Sequence, residues 1–109
     1  MEYKFDGKAM LDVHGKRVGY FDGKTVRNGK GERVGSVSGN AIRDKSGQKV
    51  AQFSNKALKA SSGERLAAIQ EIRRTIAGEE DLALCAVWYF FIYEPTREKR
   101  KESHLNFIG

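Results

Sequence analysis

The sequence predicts a mainly β fold, four 16-residue β-hairpin units packed around a common axis and followed by one short apolar helix. Three observations predict it. Bulky apolar residues recur at Phe5, Phe21, Val37, Phe53 and Ile69, always 16 residues apart. Residues suited to tight turns recur at two fixed offsets inside each unit. Finally, a run free of charge, Leu82 to Tyr93, stands alone near the C-terminus.

The first turn of each unit lies just after the bulky residue, at Gly7, Gly23, Gly39 and Asn55, preceded by Asp6, Asp22, Ser38 and Ser54. Asp-Gly and Ser-Asn there predict a two-residue type I′ hairpin turn, whose twist matches that of the flanking strands. An apolar position follows at Met10, Val26, Ile42 and Leu58. The second turn opens on Asp12, Asn28, Asp44 and Ala60 and ends on Gly15, Gly31, Gly47 and Gly63. A side-chain oxygen at its first position accepts a backbone N–H, and the glycine takes the left-handed exit. Each unit closes on Val18, Val34, Val50 or Leu66 and then a small residue, Gly19, Gly35, Ala51 or Ala67. Two short strands and two turns therefore make one unit.

Pairing across the first turn puts Gly19, Phe21, Lys24 and Val26 on one face, and Val18, Tyr20, Thr25 and Arg27 on the other. Both faces carry apolar residues. A lone hairpin is marginal in water, so the four units pack on one another, with the small residues Ala9, Thr25, Ala41 and Ala57 expected where they crowd. The order apolar, x, Gly, then apolar, Asp, Gly and Val-Gly, taken four times over residues 3–69, resembles the four-fold β-flower family of small bacterial domains. That resemblance implies four hairpin petals about a pseudo-four-fold axis, and no activity. The fourth copy departs from the pattern at Asn55 and Ala60. Beyond it two readings compete: Ser61 and Glu64 as a capping box opening a helix through Ile69, Ile72 and Ile76, or a strand from Arg65 to Ile69. The period favours the strand.

The chain reads as one domain, 1–109, made of the repeat region 3–69, a connector and apolar helix 70–95, and a polar tail 96–109. Glu79, Glu80 and Asp81 precede the uncharged run, Pro95 is expected to end it, and Arg97, Lys99, Arg100 and Lys101 follow, the polarity that suits a helix macrodipole. Its 12 residues span about 18 Å as a helix, well short of the roughly 30 Å of a hydrocarbon core. A helix apolar all round must be buried on nearly all sides. The simplest arrangement has it capping one open end of the flower, with the surplus apolar surface shared in a homodimer through Leu84, Trp88 and Phe91. Attachment to the inner membrane face through residues 82–93 is an alternative.

Of the 20 Lys/Arg, 14 lie in residues 1–69 against 7 of the 14 Asp/Glu, a net +7 there, whereas residues 70–109 carry a net −1, so the repeat region is the basic part of a chain of formal charge +6. Arg17, Arg33, Lys49 and Arg65 share one repeat position, and Lys8, Lys24 and Lys56 share another, with Asn40 as the exception. Around an axis, each set becomes a ring of cations able to hold a phosphate-rich polymer, nucleic acid or an acidic protein. The competing role is protective, because bases at strand exits discourage edge pairing. His14 falls in a turn and His104 in the tail without assignable partners, so neither suggests catalysis. Cys85 sits inside the apolar run as a small hydrophobe. Asp12, Asn28 and Asp44 are explained by their turns, and no metal or other cofactor is expected. The single cysteine and the N-terminal Met-Glu-Tyr-Lys-Phe-Asp, which lacks a signal-peptide pattern, lead us to expect a cytoplasmic protein. The expected function is a non-enzymatic structural or interaction module that self-associates through its aromatic segment, with polyanion binding as the alternative.

Overall fold

The computed structural model describes residues 2–96. Nine strands follow one another as an antiparallel meander: β1 (Tyr3–Phe5), β2 (Ala9–Leu11), β3 (Arg17–Phe21), β4 (Thr25–Asn28), β5 (Arg33–Ser38), β6 (Ala41–Asp44), β7 (Lys49–Ser54), β8 (Ala57–Ala60) and β9 (Arg65–Ala68). Helix α1 (Ile69–Thr75) leads directly into β10 (Ile76–Ala77), which pairs in parallel with β1 through Tyr3–Ile76 and Lys4–Ala77. The two edges of the ten-stranded sheet are thus β9 and β10. A seven-residue helix is about 10 Å long, so those edges stand only about two strand spacings apart and the sheet is curled. Both readings of the segment after Gly63 are partly met: the strand ends at Ala68 and the helix begins one residue later, with the Glu71 carboxylate accepting the Ala68 N–H at 3.4 Å.

The first turns differ in detail from the expected type. Phe21 pairs with Val26 and Tyr20 with Arg27, so the central residues are Gly23 and Lys24, one residue later than Asp22–Gly23. Asp22 instead stands before the turn, and its Oδ1 accepts the N–H groups of Lys24 (3.0 Å) and Thr25 (2.8 Å). Only the first central residue has positive φ in the first three units; in the fourth, Asn55 (φ 52°) and Lys56 (φ 59°) both do, as the expected type I′ turn requires. Because the register moved by two residues, the assignment of faces is unchanged. The second turns are as expected: the Oδ1 of Asp12, Asn28 and Asp44 each accepts two backbone N–H groups.

Beside every second turn the pairing slips by one residue, between Met10 and Leu11, Val26 and Arg27, Ile42 and Arg43, and Leu58 and Lys59. Val18, Val34, Val50 and Leu66 are the extra residues of these bulges, and all four pack against the core. Bulges bend a strand and raise its twist, which supplies the curl. One fully buried side chain per unit, Met10, Val26, Ile42 and Leu58, points into the concave face. Each contributes roughly 1.5–3 kcal/mol by leaving water.

What fills that face is the C-terminal helix. Helix α2 (Asp81–Trp88) continues into a π-helical turn, Tyr89–Tyr93, and on to residue 96. Pro95 therefore does not end it; the wide turn before the proline, in which the Glu94 N–H bonds to the Tyr89 carbonyl, lets the chain continue. Five successive residues, Ala83 to Val87, are at most 3% exposed, so α2 is covered on every side by its own chain. Its start lies by Phe5, Phe21 and Gly23 at the first-turn end of the hairpins. Phe91 then meets Gly19, Phe90 meets Gly35, and Tyr89 and Tyr93 reach Val50 and Leu66 at the second-turn end. The helix therefore runs along the inner face of the curled sheet and does not cap one end. Of the four small residues expected where the units crowd, Ala9 and Ala57 are buried and Thr25 and Ala41 are partly exposed, while the aromatic rings of the helix press on Gly19 and Gly35.

The entry to α2 is held by Arg73, whose guanidinium donates to Asp81 Oδ1 (from Nε, 2.9 Å, and from Nη2), to the Gly78 carbonyl (2.9 Å) and to the Glu79 carbonyl (2.8 Å). Among the described residues no helix is long and apolar enough to cross a membrane.

Candidate polyanion-binding surface

Both predicted cation sets are exposed, but they occupy opposite ends of the hairpins. Lys8, Lys24 and Lys56 lie at first turns, whereas Arg17, Arg33, Lys49 and Arg65 lie at the bulges beside second turns. They do not form one site. The bulge set gains neighbours that the sequence reading passed over: Arg33 stands directly across from Arg27, Lys49 from Arg43, and Arg65 from Lys59. Arg17 faces Leu11 instead. The signal was present, because Leu11, Arg27, Arg43 and Lys59 are themselves 16 residues apart. What was missing was the bulge, which decides who stands opposite whom.

These pairs sit on the convex face, since the intervening Val26, Ile42 and Leu58 point inward. The arginines are laid along the second turns: Arg27 Nη1 donates to the Gly31 carbonyl and Arg43 Nη1 to the Gly47 carbonyl, each at 3.1 Å. Arg33 Nη1 reaches across to the Lys45 carbonyl of the next unit at 3.3 Å, and Lys49 bonds to Gln52. Directly opposed side chains have Cβ atoms about 4.5–5.5 Å apart, and like charges so placed repel.

Acidic side chains do little to neutralise this belt. Among the described residues the belt makes one ion pair, Arg65 with Glu71 at 3.8 Å, and both partners are more than half exposed, so it is worth little. The aspartates of the repeats are committed to backbone amides. Asp6 is held below the usual carboxylate range by the Ala9 and Lys8 N–H groups, Asp12 by Lys16 and His14, and Asp22 by Thr25 and Lys24. Asp44 is lowered first by the Ser46 hydroxyl and then by the Gln48 N–H. A depressed folded value means that the stabilisation is present above the unfolded carboxylate range and is lost as pH falls through the folded one. Stability should therefore fall below about pH 4. Replacing Asp12 and Asp44 together by Asn, the residue already serving at position 28, should keep the turns and flatten that acid limb; thermal melts from pH 2 to 7 check it.

Of the self-association residues, Leu84 is fully buried by its own sheet, while Trp88 and Phe91 are half-buried and packed against the core. Leu84 has no surface to offer a partner, because the curled sheet of its own chain covers it. Trp88 stacks on Tyr93 with centroids 5.6 Å apart. Cys85 is buried, and desolvation, helped by Asp81, pushes its thiol up to about 12. Among the described residues no three His, Cys, Asp or Glu side chains gather as a metal site. His14 is an exposed turn residue. His104 and the basic residues Arg97, Lys99, Arg100 and Lys101 lie outside the described residues.

The fold and site together define a small sheet wrapped on its own C-terminal helix, with a basic outer belt. Comparison with protein-family models, with curated proteins and with solved structures found no match to this chain.

Proposed function

We infer that this chain is a non-enzymatic binding module whose convex cation belt holds a polyanion, nucleic acid being the expected class. The observation that carries this is the like-charge pairing of Arg27 with Arg33, Arg43 with Lys49 and Lys59 with Arg65, with one exposed ion pair, Arg65 to Glu71, among the described residues. Opposed cations destabilise a sheet. A fold that places them together in three successive 16-residue units keeps them for contacts outside the chain. The finer geometry we propose is four units about a pseudo-four-fold axis, as in β-flower domains. It is supported by one backbone bond that recurs with the period: the N–H of Phe21, Val37, Phe53 and Ile69 to the carbonyl of Lys8, Lys24, Asn40 and Lys56 at 2.7–2.9 Å.

The test is fluorescence anisotropy with labelled single-stranded DNA and RNA. Affinity should fall steeply between about 50 and 200 mM salt, with little preference for sequence. Exchanging Arg27 and Arg43 together for Gln should lower the salt slope by about 1.4 on these single strands while raising thermal stability, because repulsion is relieved. A merely solubilising belt would give no binding at low salt, and that result would overturn the reading.

A further inference from the structure

The fourth second-turn lacks the side chain that completes the other three. In the first, Asp12 Oδ1 accepts the N–H groups of His14 and Lys16, both at 2.9 Å; Asn28 does the same for Lys30 and Glu32, and Asp44 for Ser46 and Gln48, all at 2.9–3.0 Å. Position 60 is alanine, yet the backbone there follows the same path. Ala60 N–H bonds to the Glu64 carbonyl at 2.7 Å and Gly63 N–H to the Ala60 carbonyl at 2.8 Å, as Asp12 bonds to Lys16 (2.9 Å) and Gly15 to Asp12 (3.0 Å). Gly63 has φ 97°, against 79° to 90° for its three counterparts. The N–H groups of Ser62 and Glu64 therefore converge as their counterparts do, and no acceptor among the described residues meets them.

A recess of about 360 Å³ opens at this turn, lined by Ala60, Ser62, Glu64, Val50, Leu66 and the rings of Tyr89 and Tyr93. That volume lies in the range of small-molecule sites. The turn supplies the polar side of the recess, and Val50, Leu66, Tyr89 and Tyr93 line the rest.

We propose that this recess binds a small monocarboxylate with an aromatic or branched apolar body, its oxygen taking the place that Asp12, Asn28 and Asp44 fill in the other turns. Converging backbone N–H groups of this kind form anion-binding concavities. The exposed Glu64 carboxylate at the rim opposes a second negative charge, which favours a single carboxylate over a phosphate dianion. This site is independent of the convex cation belt.

The test titrates phenylacetate, with benzyl alcohol as the ring without a carboxylate, and follows backbone amides by 15N NMR. Saturable shifts at the Ser62 and Glu64 amides with phenylacetate, and none with benzyl alcohol, are expected. Ala60→Asn and Ala60→Asp each place an oxygen between the two donors. Both should melt no lower than the wild type and should weaken phenylacetate at least about tenfold, the loss of a charge-assisted bond. The Asn variant separates occupancy of the donors from charge repulsion. Absence of saturable shifts at these two amides in the wild type, or undiminished affinity in the folded Ala60→Asn variant, would overturn the proposal.

Discussion

Gly35→Val should be the most damaging single substitution in the sheet, costing about 4 kcal/mol or more, at the extreme of what one residue does. A Cβ at this position would come within 2.6 Å of the Arg43 carbonyl oxygen and 2.7 Å of Phe90 Cε2, with Phe90 Cζ closer still. Phe90 can turn aside, but the Arg43 carbonyl belongs to β6, which is held on both sides by β5 and β7. Overpacking against backbone moves strands, not rotamers. Gly19→Val should be milder, because the three atoms nearest a Cβ there all belong to the ring of Phe91, which can turn aside. The neighbouring Ser36→Ala, on the outer face, should be within about 0.5 kcal/mol of wild type. Denaturant melts of the three variants check the order; equal effects at positions 19, 35 and 36 would show that the helix does not press on the sheet there.

Leu84→Ala should cost about 2–5 kcal/mol, the range for a buried leucine truncated to leave a cavity, out of a total near 5–15 kcal/mol for a domain. Leu84 is fully buried, its Cδ2 lying where a Cβ on Gly78 would be, 2.6 Å away. The native mass should not change, because the surface it packs on belongs to the same chain. Cys85 provides a second readout. Its buried thiol, pushed up to about 12, should resist alkylation at pH 8 in the wild type and react faster in Leu84→Ala, as openings that expose α2 become more frequent. A fall in mass from dimer to monomer without loss of chain stability would instead place Leu84 between subunits.

Much of this architecture is legible without coordinates. Asp12, Asn28 and Asp44 with their following glycines make the turns they predict, because an Asx oxygen and a left-handed glycine act within five residues of chain. Met10, Val26, Ile42 and Leu58 are all inside, since alternation along a strand needs only one face to be wet. The strand over Arg65 to Ala68 follows from the period. Less was legible at the belt. Its bulge members were singled out, but Arg27, Arg43 and Lys59 were not, because a one-residue slip at Val18, Val34, Val50 and Leu66 determines their partners and leaves no composition mark. The turn centre moved by one residue for a similar reason: Asp22 works as well before the turn, accepting two N–H groups, as within it.

The sequence by itself determined the local hydrogen bonding, the inward apolar positions and the need to bury an all-apolar helix. Only the tertiary structure decided where that helix goes. Hydrophobic burial is non-directional, so Leu82 to Tyr93 could satisfy it against an end of the flower, a second chain or lipid. The choice fell to geometry: four bulges curl the sheet, α1 brings its edges together, and the glycines at 19 and 35 leave room for Phe91 and Phe90. Gly19 and Gly35 thus read in the sequence as small residues after a valine, and become the seats of two aromatic rings only when a segment some 55 to 70 positions further along the chain folds back onto them.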